Sequence, residues 1–221
     1  EIIVDGVNGV VIVRPGPGVR RRYEKAQENL LQFEQELAKN RHLPAETLDG
    51  YAVEVAANIE LPEEIPHALD HGAQSIGLFR TEFLYLNRNR LPREEELFEM
   101  YRSVVTAFQN KTVVFRTLDL GGDKFATTVP LSQELNPFLG LRAIRLCLEY
   151  PEIFRRQLRA ILRASVYGRV KIMFPMVSGV QEVRAAKAMV EEICDEFRER
   201  RIAYDREIEI GNAIRCWPGI Y

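Results

Sequence analysis

The chain has 221 residues, 46% hydrophobic and 28% charged, with a formal net charge of -2. That composition suits one sizeable globular domain or parts of two, and it excludes an overall basic field that would recruit nucleic acid. No apolar run is long enough to span a bilayer, so no membrane segment is expected.

The three cysteines, Cys147, Cys194 and Cys216, are odd in number, widely spaced and form no CxxC pair. This argues against a disulfide framework and a zinc site, and for a reducing, cytoplasmic compartment. The opening EIIVDGVNGVVIVRPG lacks the basic flank and cleavage site of a signal peptide and has no initiating Met, so it reads as the middle of a larger protein.

In chain order, Glu1–Val4 and Val10–Val13 are β-like runs split by Asp5-Gly6 and Asn8-Gly9, a remnant hairpin. After Pro15-Gly16-Pro17-Gly18, a charged helix is predicted from about Arg20 to Asn40. Tyr23, Ala26, Leu30, Phe33 and Leu37 form its apolar stripe, and its place suggests a stiff connector. Strands are then predicted at Tyr51–Asn58, Ser75–Phe79, Thr112–Leu118, Val170–Phe174 and Glu207–Ile214. Helices alternate with them: Leu61–His71, Pro92–Phe108, Asn136–Ser165 in two pieces broken by Pro151, and one opened by a capping box from Ser178 to Gln181. Such alternation is the signature of a parallel sheet with right-handed crossovers. The fold class expected is α/β, a partial (β/α)8 TIM-type barrel of five βα units after a long linker helix, cut off at about residue 214.

Two strands end alike. Phe79-Arg80-Thr81-Glu82 and Phe115-Arg116-Thr117-Leu118-Asp119 each pass from apolar residues to Arg-Thr and then a carboxylate. On a barrel both arginines would lie on the C-terminal rim, one strand apart, where α/β proteins bind ligands. Two guanidiniums there make a fork for a small dianion. Gly121-Gly122 would let backbone N–H groups approach an anion, or simply make a tight turn, with Asp123 and Lys124 beside it.

The ordered runs GLFRTEFL (Gly77–Leu84), VVFRTLDLGGDK (Val113–Lys124), NPFLGLRAIR (Asn136–Arg145), QLRAILRAS (Gln157–Ser165) and IMFPMV (Ile172–Val177) resemble Enzyme I of the bacterial sugar phosphotransferase system. The resemblance runs from Tyr51 to Gly211, with pyruvate phosphate dikinase and phosphoenolpyruvate synthase in the wider family. It implies residues 1–15 as the tail of a phosphohistidine domain, 16–50 as linker helix and connection, and 51–221 as phosphoenolpyruvate-binding barrel. It implies a mechanism in which phosphoenolpyruvate, with Mg²⁺, gives its phosphoryl group to a histidine and so to the carrier protein HPr. Arg80 and Arg116 match substrate arginines of that family, Arg142 matches another less closely, and Lys124 is a weaker candidate. A homodimer through the barrel is also implied.

Departures from the family pattern are expected to matter. By register its metal-binding glutamate falls at Arg215, a cation that would repel Mg²⁺. The Asn-Asp pair and proton-donating cysteine of later strands are absent, and Arg-Cys-Trp-Pro around Cys216 does not match that cysteine's setting. His42, His67 and His71 lack the surroundings of the phosphorylated histidine, so no catalytic residue is expected here. Asn212–Tyr221 reads as foreign to the family. The expectation is a chain that binds phosphoenolpyruvate weakly or not at all and cannot phosphorylate HPr alone; a dikinase- or synthase-type piece and a non-catalytic binding module remain open. Arg156, Arg159 and Arg163 share a helical face, which is a phosphate stripe, a solvated face or a set of partners for nearby acids.

Overall fold

The computed structural model describes residues 1–86, 90–108, 111–121 and 140–214. The chain divides into two compact units, Glu1–Val53 and Glu54–Tyr221.

In the first unit, β1 (Ile2–Asp5) pairs antiparallel with β2 (Val10–Val13). Asp5 builds the turn: its carboxylate accepts from the N–H groups of Val7 and Asn8 and from the Asn8 amide. Helix α1 (Pro17–Asn40) starts three residues before the predicted Arg20, because Pro17 suits the first helical turn. None of its residues is buried; Leu30, Phe33 and Leu37 are exposed, and only Tyr23 of the named stripe is half-buried, its hydroxyl donating to Asp5 at 3.0 Å.

The second unit is α/β. Its strands are β3 (Ala56–Ile59), β4 (Ser75–Phe79), β5 (Val113–Arg116), β6 (Val170–Val177) and β7 (Glu209–Ile214). All pair parallel in the order β3-β4-β5-β6-β7, the sequential order of a (β/α)8 barrel, with five strands among the described residues. Between them run α2 (Ile65–Asp70) after a 3₁₀ turn at Pro62–Glu64, α3 (Glu94–Ala107), the pair α4 (Ile144–Glu149) and α5 (Pro151–Ala164), and α6 (Val180–Glu199). Pro151 begins α5, where its missing N–H costs nothing, so it divides the helices as predicted. Residues 136–139 of the predicted helix lie outside the described residues.

Two predicted boundaries need correction. The first barrel strand is Ala56–Ile59, not Tyr51–Asn58: the alternating Tyr51, Val53 and Val55 are exposed, while Ala56 lies so close to Gly77 of β4 that a Cβ on that glycine would meet the Ala56 Cβ at 2.9 Å. The cap of α6 uses Glu182, not Gln181. Its carboxylate accepts from the N–H groups of Ser178 (2.7 Å) and Gly179 (3.2 Å). Burial pushes the Glu182 carboxyl up, but those N–H groups, the Ser178 hydroxyl and Arg145 outweigh it and leave it below the usual range.

The core is aromatic under β4 and β5. Phe79, Tyr101 and Phe115 stack with ring centroids 4.7 to 6.4 Å apart, and Leu97, Val104 and Phe108 of the predicted α3 face are buried beside them. On α6, Ala186, Val190, Ile193 and Phe197 are buried as the periodicity required. The arginines of α5 are counter-ions: Arg159 pairs with Glu94 and Glu196, Arg163 with Glu94 and Glu95, and Arg156 donates to the Pro92 carbonyl. Acids and a carbonyl already fill the face offered as a phosphate stripe.

Candidate functional site

The C-terminal ends of three adjacent strands carry the site. Glu60 follows β3, Arg80 follows β4, and Arg116 ends β5. With Glu82, Phe83 and Leu86 they line a cleft of about 310 Å³. The ladder continues past the end of β4, where the Arg80 N–H donates to the Ile59 carbonyl at 2.9 Å. Arg80 and Arg116 therefore open on one space from neighbouring strands.

Their surroundings differ. Arg80 is 45% exposed and bonds Glu60, itself 52% exposed. Arg116 is 20% exposed; it pairs with Glu82 at 3.0 Å and with Asp119 at 3.3 Å. Glu82 also accepts from the Asp119 N–H at 3.0 Å, which ties the two exits together. Asp119 in turn holds Arg142 at 3.0 Å. The result is a chain of alternating charges, Glu82–Arg116–Asp119–Arg142, largely removed from water. Arg142 is placed by a bridge between its own backbone and Gly121 and by the Ala143 N–H donating to Leu120.

The cleft presents two guanidiniums, each already paired with a carboxylate. A ligand's phosphate or carboxylate oxygens would take the places those carboxylates hold. Glu60 is the most readily displaced, being exposed and paired once. Glu64 fixes the loop carrying it by accepting from the N–H groups of Leu61 and Glu60, bonds that also hold its own carboxyl below the ordinary range.

Of the other residues singled out from sequence, Gly122, Asp123, Lys124, Arg215 and Cys216 lie outside the described residues. His67 and His71 sit at α2 with rings 4.0 Å apart and are not among the residues that line the cleft. Among the described residues no group of three or more His, Cys, Asp or Glu side chains could hold a metal ion, and Glu60, Glu82 and Asp119 are each engaged by an arginine. These side chains do not fit a magnesium ion.

Sequence reasoning missed two residues. Glu60 has no motif of its own; only its place directly after a strand could have marked it. Gln157 is 1% exposed on α5, between the apolar Ile153 and Ile161 of the same helical stripe. A polar residue inside such a stripe was the available signal.

The model of the family described as "PEP-utilising enzyme, PEP-binding domain" matches residues 34–217, wider at both ends than Tyr51–Gly211. The chain is 50% identical over 210 residues to the phosphoenolpyruvate-protein phosphotransferase of Staphylococcus carnosus (strain TM300). It is 49% identical to the protein of that name from Staphylococcus aureus (strain COL) and 47% to that from Bacillus subtilis (strain 168), each over 210 residues. In each case the match covers 95% of this chain and 37% of the relative's length.

Proposed function

We propose a function on one premise: this chain belongs to the PEP-utilising enzyme family, by its PEP-binding domain. It supplies the phosphoenolpyruvate-binding rim of a phosphoenolpyruvate–protein phosphotransferase. Residues 1–15 close a phosphohistidine domain, 16–50 link it, and 51–221 belong to the barrel. The accepting histidine lies outside this chain, as does the encounter with HPr. The working protein is a cytoplasmic homodimer joined through its barrels. Magnesium belongs to the complete site, with ligands other than the side chains described here.

The observation that carries this reading is the shared cleft of Arg80 and Arg116. Arg116, fixed from two sides by carboxylates, offers a guanidinium already aimed at the cleft, which spares reorganisation when charge shifts during transfer. Arg80, exposed and singly paired, closes on the second anionic group. Together they neutralise a substrate that carries both phosphate and carboxylate, and they hold the phosphoryl group for in-line attack. Arg142 acts through Asp119, and Lys124 is a further, weaker candidate for substrate binding.

Titration of the chain with phosphoenolpyruvate, followed by calorimetry or nuclear magnetic resonance, tests this. The expected dissociation constant is on the order of 1 mM. Arg116→Ala should weaken it about tenfold or more and Arg80→Ala several-fold, since charge-assisted bonds to arginine are each worth roughly 1.5–3 kcal/mol. Binding that survives both substitutions unchanged removes the assignment.

A further inference from the structure

Beneath the rim lies a buried polar hub. The Gln157 amide nitrogen donates to the Thr81 hydroxyl at 2.9 Å and to the Tyr101 hydroxyl at 3.2 Å. Its carbonyl oxygen accepts from the Leu118 N–H at 3.0 Å. Thr81 passes the connection on, its hydroxyl donating to the Arg116 carbonyl at 2.9 Å. Gln157, Thr81, Tyr101 and Leu118 are all buried. One side chain of α5 thus reaches the exits of two strands and helix α3.

These anchors alternate with the rim. Thr81 lies between Arg80 and Glu82; Leu118 directly precedes Asp119 and is two residues past Arg116. The backbone points that Gln157 fixes are those that aim the charged chain. Beyond Arg80 and Thr117, whose N–H groups still donate to the Ile59 and Met173 carbonyls, the ladder no longer sets the backbone, so other hydrogen bonds must. The bonds are also strongly constraining, because buried polar groups have no water to fall back on.

We infer that Gln157 is a positioning residue for the arginine rim, acting through Thr81 and Leu118 to set the orientation of Arg116 before ligand arrives. This rests on the reading of that rim as the phosphoenolpyruvate site, but the ordering of Arg116 is measurable without ligand.

The test uses the full chain and Gln157→Met, which keeps length and apolar volume while removing the amide. The first readout is the Arg116 Nε–H resonance, identified by its loss in Arg116→Lys. That atom is buried without a hydrogen-bond partner among the described residues, so its signal is sensitive to how the side chain is held. The second readout is phosphoenolpyruvate affinity. In a folded Gln157→Met chain the resonance should broaden or move toward the averaged arginine position, and affinity should fall about fivefold. Thr81→Val should do the same in part, while Thr81→Ser, which keeps the hydroxyl, should restore both. A folded Gln157→Met chain with lowered thermal stability but unchanged resonance and affinity would mean that Gln157 only fills the core, and would overturn the proposal. If Gln157→Met does not fold, the Thr81→Val and Thr81→Ser pair decides by the same readouts. If the wild-type chain binds no phosphoenolpyruvate, the resonance alone still accepts or rejects the positioning role.

Discussion

Arg80-Thr81-Glu82 leaves β4 and Arg116-Thr117-Leu118-Asp119 leaves β5 with the same order of residue types, yet the two exits are built differently. Arg80 is half in water with one exposed partner, whereas Arg116 is mostly buried between two carboxylates. The threonines differ too. Thr81 accepts from Gln157 and donates to the Arg116 carbonyl; the Thr117 hydroxyl is as deeply buried but has no partner among the described residues, and its N–H joins the sheet through Met173. The cause is position. Strand β5 has the eight-residue β6 as its outer neighbour, while β4 has the four-residue β3. A repeated spelling therefore gives one arginine that is set in advance and one that can adjust. A fixed donor lowers the reorganisation cost of transfer, and a loose one lets ligand enter and leave.

The largest effect that could break this contrast is on stability. Arg116→Ala leaves Glu82 and Asp119, 13% and 15% exposed, without the cation between them. A fully buried broken pair costs about 3–5 kcal/mol; with partial exposure we expect about 2–3 kcal/mol here. Arg80→Ala should stay within about 0.5 kcal/mol, as exposed pairs do. Urea denaturation of both variants measures the difference, and equal losses would erase the distinction.

A smaller effect separates the threonines. Thr81→Val removes a buried hydroxyl with two partners and should cost about 1–2 kcal/mol; Thr117→Val removes one with none and should be neutral or stabilising. Thermal melts of the two variants sharpen the comparison, which fails if Thr117→Val proves the more damaging. The smallest effect concerns Glu60. If it occupies Arg80 until a ligand displaces it, Glu60→Gln should tighten phosphoenolpyruvate binding by roughly 1.5- to 5-fold, the worth of an exposed pair. Weaker binding in that variant would make Glu60 a ligand contact instead of a competitor.

Strands β4, β5 and β6 were legible because buried parallel strands are nearly continuous apolar runs. Strand β3 was not. Tyr51, Val53 and Val55 imitate strand alternation, and the true strand begins with Ala56 and Ala57, small residues chosen for the close approach to Gly77. The capping box lies one residue beyond Ser178-to-Gln181, because Gly179 holds the cap and Glu182 reaches back, while Ser178 has the residue type of a cap. The paired arginines were visible because each sits in a local motif. Glu60 comes from a different strand, and Gln157 meets Thr81 across 76 residues of sequence, so neither contact leaves a local trace. What was hidden was the support of the rim, set by tertiary contact.

Helix α4 also reaches the exit of β5. The Cys147 thiol is fully buried, lies 4.0 Å from the Leu118 carbonyl, and is pushed up by burial well beyond the ordinary thiol range. It is therefore inert while the fold stays closed. Cys194 on α6 is only half-buried. In a Cys216→Ser chain, a thiol-reactive dye should mark Cys194 early and Cys147 only when α4 lifts away, so the delay between them is an internal clock for local breathing at the arginine rim.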